Sequence, residues 1–504
     1  MIMNLFETIR SRIATPARPF IIRGDGTTLS YGDMLDRTGQ LANALVLAGV
    51  EPGDRVAAQV EKTVENFLLY LATLRAGAVY LPLNTAYTLA ELDYFIGDAE
   101  PRLVVCDPGK RGGVADIAKA RGVASVETLD ANGQGSLIDV AMKAPRDFAD
   151  VPRDDDDLAA ILYTSGTTGR SKGAMLTHRN LSSNAETLRE YWRFTENDIL
   201  LHALPIYHTH GLFVAGNTVM LAGGAMIFLP KFDADEVMRH LPGATTMMGV
   251  PTFYTRLLRH PGLTREACAH MRLFTSGSAP LLAETHDEFR LKTGHAILER
   301  YGMTETNMNT SNPYDGDRIA GTVGFPLPGV DVRIAEPESG AVLPQGEIGV
   351  IEVRGPNVFP GYWRMPEKTS AEFRPDGFFI TGDVGKIDER GYVHIVGRAK
   401  DLIITGGFNV YPKEVESEID ALPDVVESAV IGCPHPDFGE GVTAVVVLKK
   451  DSIADEKALI ANLEGRLARF KLPKRVIFVD DLPRNTMGKV QKNVLRERNA
   501  KLYT

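Results

Sequence analysis

After Ser30, apolar residues recur at Met34, Leu35, Leu41, Ala42, Leu45 and Val46, and the pattern stops near Gly49. That spacing lays one apolar stripe along an amphipathic helix with a serine N-cap and a glycine stop. The turn "EPGD" then leads to a short strand at "RVAAQV", a helix through "ENFLLYLATLRAG" and a strand at "AVYLPL". Strands and helices alternating in this way are the rhythm of βαβ units in a mostly parallel sheet. From about Lys110 to Asp157 the periodicity weakens and ends in "RDDDD", which reads as a solvated connection. Between about Gly321 and Asp388, glycine and proline are frequent, as in "FPLPGV" and "RGPNVFPGYW", and predict a turn-rich β region. Further on, strands at "VVESAVIG", "VTAVVVLK" and "RVIFVD" surround helices at "PKEVESEIDAL" and "EKALIANLEGRLARF", the pattern of a small separate domain. The expected fold class is α/β. A large N-terminal domain, 1–397, has mostly parallel α/β sheets and a β-rich subdomain; 398–400 connect it to a small α+β domain, 401–504.

Composition narrows the functions open to such a chain. At 504 residues, 44% hydrophobic and 24% charged, it is too long for one hydrophobic core. A formal net charge of −10 leaves no uniformly basic surface for nucleic acid or an anionic membrane, so any anion must be met by a local pocket. Cys106, Cys268 and Cys433 lie far apart, which gives neither a disulfide framework nor paired zinc spacing and fits a reducing, cytoplasmic compartment. No apolar run approaches the roughly 20 residues of a membrane span. The opening "MIMNLFETIRSRIATPARPF" lacks a secretory apolar core; its scattered arginines read as a mitochondrial presequence or as a short surface helix.

The candidate chemistry starts at "ILYTSGTTGRSKGAML", residues 161–176. "LAAILY" before it reads as a buried strand, and "HRNLSSNAETLREYW" after it as a helix. Gly166 and Gly169 permit close approach of main chain to a ligand, while the hydroxyls of Thr164, Ser165, Thr167, Thr168 and Ser171 and the charge of Lys172 suit a polyphosphate. The order is wrong for G-x-x-x-x-G-K-[ST], since Lys172 precedes Gly173 and no hydroxyl follows it to hold magnesium. A P-loop kinase or GTPase is therefore disfavoured.

With "LPIYHTHG", "YGMTET", "TGDVGKID", "GRAKDLIITGGFNVYPKEVE" and "LPRNTMGKVQK" following in order, the sequence resembles the adenylate-forming acyl-CoA synthetases. The resemblance spans Tyr163 to Lys492. It implies ATP, Mg²⁺ and coenzyme A as reactants and a mobile C-terminal lid hinged at Lys400. It also implies Lys489 as the cation at the α-phosphate and substrate carboxylate, and Glu305 as the Mg²⁺ ligand with Thr304 beside it. Tyr301 and Gly302, with Ser278 and Ala279, would line the nucleotide site; Asp383 would hold the ribose hydroxyls, assisted by Arg398. His208 would line the junction of acyl pocket and CoA tunnel, His210 being structural. Gly406 and Gly407 would let the pantetheine arm pass. Lys471, with Lys474 and Arg475, meets CoA phosphates or simply ends a solvated helix. "PTFYTRLL", "SGSAPL" and "LERYGMTETNMNTSNPYDG" are similar to the malonyl-CoA synthetase subfamily, where Arg256, Arg300 and Ser278 would bind the distal carboxylate of malonate. The alternatives are a synthetase for another short acid, a stand-alone adenylation enzyme, or an ATP-binding sensor, which Lys489, Glu305 and Asp383 together argue against. A monomer or weak homodimer is expected.

Overall fold

Ser30 caps the helix Tyr31–Leu47. Its hydroxyl accepts the Asp33 N–H and the Asp33 carboxylate accepts the Ser30 N–H, satisfying groups that a helix end leaves open. Met34, Leu41, Ala42 and Leu45 are buried along the expected stripe, and Val46 is exposed. The structure is a computed structural model that describes residues 4–164, 171–406, 408–450, 452–464, 466–485 and 488–503. Backbone contacts divide the chain into two units. The first is Met1–Ala320, Gly324–Asp331 and Val353–Phe379; the second is Gly321–Val323, Val332–Glu352 and Ile380–Thr504, so residues 398–400 lie inside it.

The first unit holds two sheets. A six-stranded sheet runs Ser125–Thr128, Leu103–Cys106, Arg55–Gln59, Val79–Pro82, Leu158–Thr164, Lys172–Thr177, parallel except for its last pair. A nine-stranded sheet has a parallel centre from Leu298–Met303 through Leu273–Ser276, Thr246–Gly249, Ile199–His202 and Ala225–Phe228 to Pro19–Arg23. Helix Val64–Arg75 is buried at every residue but Glu65, because it is apolar all round and needs cover on every side. Tyr70 meets Tyr80 of the smaller sheet at 5.4 Å and Phe67 meets Phe228 of the larger at 5.6 Å, which makes the helix their shared layer.

Three expectations change here. The opening helix Leu5–Ser11 is no surface helix, since Leu5, Phe6 and Ile9 are fully buried. The weakly periodic stretch after Lys110 is ordered, with helices Arg111–Ala120 and Ser136–Ala141 flanking the edge strand Ser125–Thr128. An edge strand is only half covered, and that muted its alternation. The glycine-rich loop does not run from strand to helix. Leu158–Thr164 pairs antiparallel with Lys172–Thr177, Thr164 opposite Lys172, and the helix begins only at His178, capped by Thr177.

The second unit carries the strands Val332 onward of a four-stranded sheet, ordered Asp331–Ala335, Gly349–Arg354, Phe379–Ile387, Val393–Arg398. Its five-stranded sheet is ordered Phe408–Val410, Ile403–Thr405, Gly439–Leu448, Val425–His435, with Arg475–Phe478 parallel to Gly439–Leu448. Val415, Ile419, Leu459 and Leu463 pack on Val430, Ala444 and Val446. "ITGGFNV" is a hairpin, not one strand: Thr405 faces Phe408 and Gly406 turns with φ +57°, a backbone that glycine adopts without penalty. The predicted helix from Glu456 ends at Leu463, where Glu464 is extended, just before Gly465, a poor helix former.

Burial pushes the Asp420 carboxyl up to about 6, against the opposing pull of Lys413 and the Ser428 hydrogen bond and with help from Glu416 and Glu427. The free carboxyl titrates near 3.8, so between these values the native state holds the extra proton and stability falls as pH rises through the window. Asp420→Asn is expected to remove that slope and, at pH 7, to exceed the wild type by about 2 to 3 kcal/mol in the second unit. Amide exchange in Val425–His435 from pH 4 to 7 reads it; equal slopes in both proteins would refute it.

Candidate active site

Arg300 lies on Leu298–Met303 and is only 3% exposed. Its Nε and Nη2 have no hydrogen-bond partner among the described residues. Burial pushes the guanidinium down to about 9, which still leaves a cation at neutral pH. A buried charge without a counterion costs several kcal/mol, so this position calls for an anion. The guanidinium lies over Gly277, where a Cβ would stand 2.4 Å from Nη1. The next residue, Ser278, has φ +70°, a strained value for a residue with a side chain, and its Oγ is 3.2 Å from His210 Nδ1. Ala279 follows, half-buried.

His210 opens the π-helical turn His210–Asn217, a local geometry frequent at functional sites. Burial first and the Arg300 charge second hold its imidazole well below the ordinary histidine range, so it is neutral, and its Nε2 has no hydrogen-bond partner among the described residues. Ser278, His210 and Arg300 thus form one polar cluster. Expected to be structural, His210 lies instead in this cluster. Arg256 is not a second buried cation: it sits on the exposed face of helix Pro251–Leu258. His208 is half-buried, its ring 4.7 Å from that of Tyr207.

A second group in the same unit surrounds Glu305, which is 5% exposed. The Tyr362 hydroxyl lies 3.0 Å from Glu305 Oε1 and 2.7 Å from Glu372 Oε2. Lys172 pairs with Glu372 at 3.1 Å and stands 4.0 Å above the Tyr362 ring. The ammonium expected to face a phosphate therefore has a carboxylate partner already, and Tyr362 links that pair to Glu305. Tyr301 is 9% exposed on its strand, and Gly302 is obligatory, since a Cβ there would meet Asn307 O at 1.8 Å. Thr304 is half-buried and Thr164 ends its strand opposite Lys172. Ser165, Gly166, Thr167, Thr168 and Gly169 lie outside the described residues. No group of three or more His, Cys, Asp or Glu among the described residues could hold a metal ion alone. A hard cation at Glu305 would need further oxygens from a ligand such as a polyphosphate, and a carboxylate is a suitable first donor.

In the second unit, Asp383 is 4% exposed and faces Arg398 across an antiparallel pair, with Arg398 Nε 3.0 Å from Asp383 Oδ1. Thr381 Oγ1 accepts the Asp383 N–H and donates to Ile351 O, which fixes the strand beneath the carboxylate. Lys400 is exposed on the turn Ala399–Asp401. Lys489 is exposed on a hairpin. Gly406 turns a hairpin rather than merely making room for a passing ligand, and Gly407 lies outside the described residues. Lys471 pairs with Glu414, beside the stacked rings of Phe408 and Phe470. Sequence spacing marks Tyr362 only as part of the "PGYW" turn run and carries no signal for Glu372.

A family model described as "AMP-binding enzyme" matches residues 10–363, and one described as "AMP-binding enzyme C-terminal domain" matches 414–489. The ATP-bound structure of MatB from Rhodopseudomonas palustris is similar over 100% of both chains, with a TM-score of 0.98 and 66% identity. A feruloyl-CoA synthase of Amycolatopsis sp is 39% identical over 95% of each chain. A malonate–CoA ligase of Arabidopsis thaliana is 34% identical over 98% of this chain and 89% of its own.

Proposed function

Because the chain belongs to the AMP-binding enzyme family, we propose that it ligates malonate, and methylmalonate as a branched analogue, to coenzyme A with ATP. An acyl-adenylate is the intermediate and malonyl-CoA, AMP and pyrophosphate are the products. The observation that carries the choice of acid is Arg300, a buried cation whose Nε and Nη2 lack partners among the described residues, beside Ser278 and His210. A dicarboxylate brings the missing anion, whereas an aromatic acid such as ferulate leaves the guanidinium unanswered at full desolvation cost. The similar malonate–CoA ligase of Arabidopsis thaliana supports the same choice.

The reaction then divides between two transition states. In the first, a carboxylate oxygen of malonate attacks the α-phosphorus and the bond to pyrophosphate breaks; Lys489 meets the charge growing on the phosphate oxygens. Asp383, oriented by Arg398, accepts from the ribose hydroxyls, and Tyr301 with Gly302 holds the adenine. Glu305 is the residue that would hold Mg²⁺, an ion that supplies charge neutralisation on the phosphates. In the second, the CoA sulfur attacks the acyl carbon and AMP leaves, with His208 near the acyl group. Lys400 is the hinge between 1–397 and 401–504, Gly406, Gly407 and Lys471 face CoA, and Arg256 attends the acid from an exposed position. A monomer or weak homodimer in the cytoplasm completes the proposal, supported there by three free, buried cysteines.

Pyrophosphate release with ATP, Mg²⁺ and CoA across malonate, methylmalonate, acetate, butyrate and ferulate tests the acid. Malonate is expected to exceed the three monocarboxylates by about a hundredfold in kcat/KM, the scale of one lost charged contact. A monocarboxylate that matches malonate would refute it.

A further inference from the structure

The hairpin that carries Lys489 is held by a device that the chemistry above does not use. Leu482 anchors its start in an apolar cluster with Ala429, Ile431, Val445 and Leu495. Arg484 bridges Val490, and the Gln491 N–H donates to Pro483 O at 2.8 Å. Within the turn, Asn485 grips both main-chain groups of Lys489: its N–H donates to Lys489 O at 2.9 Å and its Oδ1 accepts the Lys489 N–H at 3.0 Å. The Arg484 side chain spans two parts of the unit. One guanidinium nitrogen, Nη1, donates to Gly488 O at 2.6 Å, in the peptide directly before Lys489. The other, Nη2, pairs with Glu427 on strand Val425–His435. Beyond the hairpin, Lys492 pairs with Glu416, which itself accepts the Val430 N–H of that strand at 2.9 Å. Both ends of the catalytic hairpin are therefore tied to one strand, directly through Glu427 and indirectly through Glu416.

We propose that Arg484 is the positioning residue for Lys489, with Glu427 as the post to which it is fastened. The inference rests on the reading of Lys489 as the adenylation cation. Arg484 and Glu427 are 28% and 21% exposed at their side chains, a setting in which an ion pair adds little to stability. What the pair does supply is a fixed location for the Gly488 carbonyl, and hence for the adjoining Cα of Lys489. A displacement of a catalytic group by about 1 Å is enough to cost about a hundredfold in rate. Arginine suits the task because its rigid fork serves two acceptors at once, which a lysine ammonium on a flexible stem does less well.

Four variants of the full chain test this: Arg484→Met, Arg484→Lys, Glu427→Gln and, as the benchmark, Lys489→Ala. Each is assayed for malonate-dependent ATP–pyrophosphate exchange and, separately, for thioester formation from supplied malonyl-AMP and CoA. Arg484→Met is expected to lower kcat of the exchange by about ten- to a hundredfold, with the KM values of ATP and malonate and the thioester step held within about twofold. Glu427→Gln should lose less, and Arg484→Lys should recover part of the exchange rate, because each keeps one of the two contacts. Arg484→Lys and Glu427→Gln carry the test if Arg484→Met does not fold. A parallel fall of both half-reactions, a rise in KM alone, or no loss overturns the inference. If Lys489→Ala leaves exchange intact, the reading of Lys489 falls and takes the inference with it. If Lys489→Ala abolishes exchange and the Arg484 and Glu427 variants do not disturb it, only the inference falls.

Discussion

Lys489→Ala is expected to reduce malonyl-adenylate formation by about a hundred- to a thousandfold, the effect of removing one preorganised charge from a developing oxyanion. Thioester formation from supplied malonyl-AMP should stay within about twofold of wild type, because the proposed role of Lys489 belongs to the first step alone. The physical asymmetry lies in the reactions themselves. Adenylation is attack at the α-phosphorus, with charge gathering on the oxygens around it, whereas thioesterification is attack at the acyl carbon, where the acyl–oxygen bond breaks and AMP leaves with its electron pair. Single-turnover assays of the two half-reactions measure it, and equal losses in both would remove Lys489 from the first step.

Arg300→Met is the second large effect, and it is one of selectivity. On the proposed pairing of Arg300 with the distal carboxylate, losing this cation should cost malonate about 2 to 4 kcal/mol in kcat/KM, roughly thirty- to seven-hundredfold. Acetate and butyrate should lose far less or gain, since the variant no longer imposes an unanswered guanidinium on them. The ligand-free variant should unfold no lower than wild type, because an apolar side chain replaces a buried charge that has no counterion among the described residues. Arg256→Met should cost malonate less than Arg300→Met does, as its guanidinium is exposed and already solvated. The readouts are kcat/KM for the three acids and thermal unfolding without ligand. A uniform drop across acids would assign Arg300 to the nucleotide or the fold.

What the sequence disclosed and what it hid follow from the distance over which each feature is decided. The Tyr31–Leu47 helix was legible because its stripe, cap and stop lie within twenty residues of one another, and the Asp383 strand was legible from "TGDVGKID". The return strand Lys172–Thr177 was not: a short apolar run after a glycine-rich loop looks like the approach to a helix, and only its pairing with Leu158–Thr164 makes it a strand. His210 escaped because its partner Ser278 is 68 positions away, and Tyr362 because Glu305 is 57 positions away. Contacts across such spans leave no periodic trace. Arg300 was found by its place beside Tyr301, but its burial, which separates it from Arg256, depends on the strands around it.

Gly277 never needs to touch an acid, yet the Arg300 guanidinium rests on the space its missing side chain leaves. On the proposed role of Arg300, acid preference has a second address in the gene. One added methyl at a backbone position evicts the guanidinium while leaving arginine encoded, so selectivity can drift in descent with every acid-facing residue intact. Among relatives whose names range from ferulate to malonate on one scaffold, a comparison confined to the residues that face the acid would miss such a step, and the glycine beneath the cation is where ancestry should be searched for it.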